Sequence, residues 1–162
     1  MSRRRPASYI AAAPAVLYQR LFGVSDDAAA GRAVVAVIWA TVDRDRIVAG
    51  LGLAADPLPN DQHLGASVVL VRHADGDPIA ILEPITEGRL TATLARHGEG
   101  PAGEYVESAI ALDEIGPLTA ASGVLASRPA EGPFGRSVIV PSSPPDGPHL
   151  VLVESTAGTI RR

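Results

Sequence analysis

The spacing of apolar residues along this chain changes several times, and each change marks an element. Residues 33–42 form an apolar, β-branched run with few polar positions, which predicts a strand covered on both faces. Asp43 stands where an N-cap is needed, and Ile47, Val48 and Leu51 recur at helical spacing, predicting a helix over 44–53. Residues 54–63 carry two prolines and an Asn-Asp pair and read as loop or irregular edge. Strand patterns over 66–72 and 78–83 flank Asp75-Gly76, a hairpin signal. Thr86 or Glu87 then opens a helix that runs to about His97 and is closed by Gly98.

The order repeats in the second half. A strand over 103–112 is followed by a helix over 113–122 with Asp113 as its cap, then by strands over 124–128, 135–141 and 149–155. An Asp146-Gly147 turn precedes the last of them. Upstream, 1–32 reads as an arm with a short helix from about Ala13 to Phe22, Pro14 in its first turn. Arg3, Arg4 and Arg5 before an apolar run have the outline of a secretory leader. Against that outline, the run is short, Pro14 interrupts it and Gln19-Arg20 ends it.

Composition then narrows the chemistry. With 162 residues, the chain has room for one domain over 33–162 behind the arm. A fold of that size buries roughly 70% of its unfolded surface, enough for a core and an internal pocket. All 14 basic residues are Arg, so no lysine is present to form a Schiff base or serve a phosphate loop. The absence of Cys excludes disulfides, thiol nucleophiles and thiolate metal sites, and leaves the cytoplasm as the default compartment. A net charge of −4 argues against a nucleic-acid surface, and no stretch reaches the ~20 apolar residues of a membrane span. No Gly-x-Ser-x-Gly string marks a serine-hydrolase elbow.

Several strings fall in a telling order. They are the strand-to-helix corners Val42-Asp43 and Leu112-Asp113-Glu114-Ile115, then Leu82-Glu83-Pro84, Arg96-His97-Gly98-Glu99-Gly100, and Pro145-Asp146-Gly147 ahead of the final apolar strand. In that order, over about 33–156, the chain resembles the vicinal oxygen chelate superfamily of glyoxalase I, methylmalonyl-CoA epimerase and the bleomycin-resistance proteins. The resemblance implies an α+β fold in which two βαβββ-like modules, about 33–98 and 99–156, form a cup-shaped mixed sheet with the N-terminal helical arm beside it. It also implies a homodimer.

Enzymes of the superfamily hold a divalent metal with four His, Glu or Gln side chains. Counted from the matching corners, those positions carry over onto Ala36, Ala80, Glu107 and Val151, or Glu154 in place of Val151 if the register slips. Ala and Val offer no lone pair, and a catalytic metal normally takes three or more protein ligands. His63, His73, His97 and His149 show no metal-binding spacing. The expectation is the scaffold with no metal and no other cofactor.

What remains is an apolar cup with one acid. The resemblance turns Glu107 inward beside Ala109 and Ala111, with Ala36, Ile38, Ala80 and Val151 opposite. A carboxylate so placed can move a proton next to a carbonyl, and Tyr105 on the same face can donate to an oxyanion. Alternatively, Glu107 pairs with an arginine at the rim or faces solvent, and Tyr105 is a core residue. Alternation sends Trp39 toward a covering helix, so it is a packing residue first and a ligand-stacking candidate second. Arg72 is a candidate contact for an anionic group or a solvated edge charge. The abundance of Ala in the cup strands leaves volume for a bulky, mostly apolar guest.

Together these readings lead to a metal-independent isomerase, epimerase or cyclase acting on a bulky carbonyl-bearing metabolite in bacterial specialised metabolism. The alternative is a non-catalytic protein of the bleomycin-resistance type that sequesters an antibiotic or other natural product.

Overall fold

A computed structural model of the chain describes residues 34–72, 74, 76–121, 126–140 and 148–154. The arm expected over 1–32, Asp75 and the Asp146-Gly147 turn lie outside the described residues. The first half runs β1 (Val34–Ala40), α1 (Arg44–Leu51), β2 (Ala55–Asp61), β3 (Ala66–Val71) and β4 (Ile79–Pro84). Helix α2 (Arg89–His97) connects it to the second half: β5 (Gly100–Glu107), α3 (Leu112–Ala121), β6 (Ala130–Gly132), β7 (Gly135–Val140) and β8 (His149–Val153).

The described strands form one mixed sheet in the order β2-β3-β4-β1-β5-β8-β7-β6, curved into a nearly closed cup. β1 lies parallel to β4 and β5 parallel to β8, while β1 and β5 join the halves as an antiparallel pair. The two halves therefore repeat one topology about the β1–β5 seam.

Alternation along each strand separates two faces. Ala36, Ile38, Ala40, Ala66, Val68, Leu70, Ala80, Leu82, Tyr105, Ile139, Val151 and Val153 make one inner cluster. On the outer face, Ile47 and Val48 of α1 pack on Val69, Val71 and Ile81, and Leu112 and Ile115 of α3 pack on Val106, Val138 and Leu152. The third residue of the expected α1 stripe, Leu51, is instead 43% exposed, one turn beyond the contact.

Local chemistry explains where elements begin and end. Asp43 caps α1, its Oδ1 accepting the Arg46 N–H at 3.0 Å, and Gly52 at φ 63° closes the helix. Glu83 of β4 accepts the Arg44 N–H of α1 at 3.3 Å.

Three sequence expectations need sharpening or correction. Of the loop or irregular edge expected over 54–63, the edge is what forms: Ala55–Asp61 is a strand, admitted despite Pro57 and Pro59 because it pairs on one side only, with β3, and bulges between Leu58 and Asp61. The strand expected over 103–112 begins earlier and stops at Glu107, because the Ser108 hydroxyl donates to Ile110 O at 2.7 Å and turns the chain away. The strand expected over 124–128 is absent from its described residues, 126–128. There Ser127 bonds irregularly to Ile139 through both its N–H and its hydroxyl oxygen, and the short β6 follows at 130–132.

One exposed cluster pins the end of β1 to both neighbouring connections. Glu99 accepts Arg46 Nη2 at 2.6 and 2.7 Å, Thr41 Oγ1 at 2.7 Å and the Val42 N–H at 3.1 Å. These donors, Arg46 first and Thr41 next, pull the Glu99 carboxyl down to about 2. A depressed carboxyl stabilises the fold above its unfolded value and loses that contribution as pH falls through the folded value. The urea midpoint of the parent should therefore fall between about pH 4.5 and 2 more steeply than that of Glu99→Gln; equal slopes would remove Glu99 from the acid response.

Gly103 of β5 lies against the His149 backbone of β8. Its φ is 145°, and a Cβ there would collide with the backbone of His149, which has nowhere to retreat within a paired strand. Gly103→Ala should cost about 3 kcal/mol in denaturant unfolding, and a loss within error would show that the two strands can separate freely.

Candidate functional site at the mouth of the cup

Register decides which side chains meet inside the cup. Ala36 lies opposite Tyr105, Tyr105 opposite Val151, and Ile38 opposite Ala80. All five belong to the inner cluster and have no exposed surface. The residue opposite Ala36 and Val151 is thus Tyr105, two positions before Glu107. Glu107 sits half-buried at the end of β5 opposite Val153.

Tyr105 does more than fill space. Its hydroxyl donates to Asp61 Oδ2 at 2.6 Å, and Asp61 Oδ1 accepts the Leu64 N–H at 2.8 Å. Asp61 is 1% exposed. The tyrosine ring meets Phe134 edge to face at 4.9 Å, which fixes its aim. Burial, reinforced by the Asp61 charge and hydrogen bond, pushes the phenol well above its usual range, so Tyr105 stays protonated and acts as a donor.

Ala36, Ala40 and Ala80, expected to leave room in the cup, do face inward, but the room is taken. Leu64 from the β2–β3 turn and Leu90 from α2 are buried in the same cluster, with Leu58, Leu94 and Phe134 packed against it. Open space lies instead at the mouth, where a pocket of about 440 Å³ is bounded by the 59–65 turn, Ile85 and Thr86 after β4, and Glu131 and Gly132 of β6. Asp61 belongs to both the wall of this pocket and the buried pair.

The other candidates are dispersed. Ala109 and Ala111 lie past the end of β5 and are exposed, which corrects their placement on a cup strand. Trp39 is on the opposite face from Ile38, level with Ile81, and its buried Nε1 has no acceptor among the described residues. Arg72 is exposed just beyond β3.

The residues present do not fit the metal of the superfamily. Of the aligned positions, Ala36, Ala80 and Val151 have no donor atom, and the phenol opposite Ala36 and Val151 is committed to Asp61. Among the described residues, no three His, Asp or Glu group as a metal would need. His149 Nε2 lies 2.7 Å from Thr93 Oγ1 beneath α2, and His63 Nε2 lies 3.0 Å from Ser137 O.

Asp61 was missed because its stretch read as loop or irregular edge, with no inward face assigned to it. The available signal was a short acid in a two-proline segment, which acquires an inward direction only once that segment is known to pair with β3.

This arrangement is that of a vicinal oxygen chelate fold, and solved structures bear out the fold. The Streptomyces coelicolor methylmalonyl-CoA epimerase in complex with 2-nitronate-propionyl-CoA is 21% identical, with a TM-score of 0.60 over 78% of this chain and 96% of that one. The methylmalonyl-CoA epimerase of Mycobacterium tuberculosis is 18% identical, with a TM-score of 0.59 over 80% and 92%. A hypothetical protein of Bacillus halodurans C-125 is 16% identical, with a TM-score of 0.57 over 76% and 94%. No protein-family profile matches the sequence, and no curated protein matches it.

Removing the phenol would leave Asp61 Oδ2 buried without its donor. Tyr105→Phe should therefore destabilise the chain by about 2 kcal/mol in urea unfolding. It should leave the native phenolate absorbance unchanged through pH 10, since Tyr105 does not ionise there. A native-state loss of one phenolate in the variant would mean that the pair is open to water.

Proposed function

We propose that this chain binds a carbonyl-bearing small molecule at the mouth of its cup and transfers a proton on it without a metal, in a step of isomerase, epimerase or cyclase type. The observation that supports this reading is the Asp61–Tyr105 pair, which stands in the cup where the superfamily's metal ligands project and shares Asp61 with the pocket wall. Asp61 is the base in this reading. When it takes a proton from the carbon beside the carbonyl, it becomes a weaker acceptor, and the Tyr105 O–H turns to the developing oxyanion. The proton then returns to the opposite face or a neighbouring atom. Asp61 lines the pocket, so a guest that fills it lies against this residue. Glu107 is the second candidate base, half-buried on the strand that carries Tyr105.

The second reading, sequestration without chemistry, is favoured by the packed interior, which leaves the mouth as the place for a guest. Deuterium incorporation next to the carbonyl separates the two. Neutral ketones, amino ketones and methylmalonyl-CoA as an anionic comparator would be incubated with the full chain in D₂O and chelator and followed by mass spectrometry. Exchange that persists in Glu107→Gln and falls by about 10²-fold or more in a folded Asp61→Asn supports the assignment. Undiminished exchange in Asp61→Asn overturns it, and saturable binding with no exchange establishes sequestration.

A further inference from the structure

The charge of the guest follows from what surrounds the pocket. Asp61 is a buried carboxylate whose partners are two neutral donors, the Tyr105 hydroxyl and the Leu64 N–H, and it has no ion pair with any described cation. A buried anion without a counter-charge is costly, and one that borders a cavity can be compensated by whatever fills it. Two hydrogen bonds also leave the carboxylate with unused acceptor capacity, since an ionised Asp accepts at about four sites.

The remainder of the lining agrees in sign. Its second charged residue is Glu131, exposed on β6, and no Arg or His belongs to it. Gln62 and Thr86 add neutral acceptors. Pro59 and Ile85 supply apolar wall, and Ile85 is 54% exposed, an apolar surface open to a guest's body. A volume of about 440 Å³ is that of a small-molecule site.

From these observations we infer that the pocket takes an organic cation, a primary or secondary ammonium on an apolar body, and turns away anionic acyl groups. This rests on the reading above that the mouth pocket holds the guest, and it adds the guest's chemical class. A fixed pair of carboxylates raises the local concentration of cations and lowers that of anions before any contact forms. A coenzyme A thioester, with its several phosphate charges, is on the wrong side of that field. The guest is accordingly an amine-bearing metabolite.

Three probes of one shape test this: phenylbutylamine, phenylbutanol and phenylbutyrate, each titrated into the isotope-labelled full chain and followed through backbone amide resonances. The amine should move the resonances of 60–65, 85–86 and 131–132. Its affinity should fall about three- to five-fold in Glu131→Gln, fall again with added salt, and exceed that of the alcohol, while the butyrate does not bind. Butyrate binding at those residues as tightly as the amine would overturn the charge inference and leave the pocket reading standing. If none of the three probes moves those resonances, the pocket reading falls and the inference falls with it.

Discussion

The hydrogen bond from the Tyr105 phenol to Asp61 Oδ2 closes the cup. β5 is at the centre of the sheet and β2 at its edge, so a 2.6 Å bond between them spans the interior and draws the far edge inward. A second tie, from the His63 ring to the Ser137 carbonyl of β7, joins the same edge to the opposite half. An eight-stranded open sheet would otherwise present two unpaired edges to solvent, a standing invitation to pair with other chains. Here the prolines of β2 and the brevity of β6 blunt those edges, and the Tyr105–Asp61 bond holds them near each other.

The same bond accounts for the chemistry of the interior. In a cup open to water, a ring of donors facing inward could hold an ion. In this chain three of the four aligned positions are Ala36, Ala80 and Val151, and leucines from the β2–β3 turn and α2 cover them. The Tyr105–Asp61 pair survives in that setting because each member answers the other. The phenol needs an acceptor, the carboxylate needs donors, and the Leu64 N–H supplies the second. A charged hydrogen bond in so dry a place is strong, and it commits both side chains to one geometry.

Most of the fold was legible in the sequence, because strands buried on one face advertise their period. β1, β3, β4, β7 and β8 fall where β-branched runs predict them, and Asp43 and Gly98 mark helix ends by the usual capping chemistry. β2 was not legible, since two prolines and two aspartates in seven residues carry no strand signal and only pairing with β3 supplies one. That miss hid Asp61. The end of β5 was obscured for a related reason: the apolar pattern continues through Ala109, Ala111 and Leu112, while the Ser108 turn that breaks it is a hydrogen-bonding event invisible to periodicity. Glu107 stood out on the strand as the conspicuous acid. Asp61, a buried acid, lies 44 residues before Tyr105, on a segment whose inward direction is a property of the closed sheet.

A likeness in backbone at 16–21% identity fixes where side chains project and leaves their chemistry to each chain. Three of the four aligned positions show how little the scaffold demands of them: two alanines and a valine serve the sheet as well as metal ligands do, provided something else fills the bore. With the bore filled, a pocket remains at the seam between β2 and β6. The seam is where the repeated halves differ most, since β2 has seven residues and β6 three. A pocket built from that asymmetry owes its charge to Asp61 and Glu131, so its specificity belongs to this chain and not to the fold.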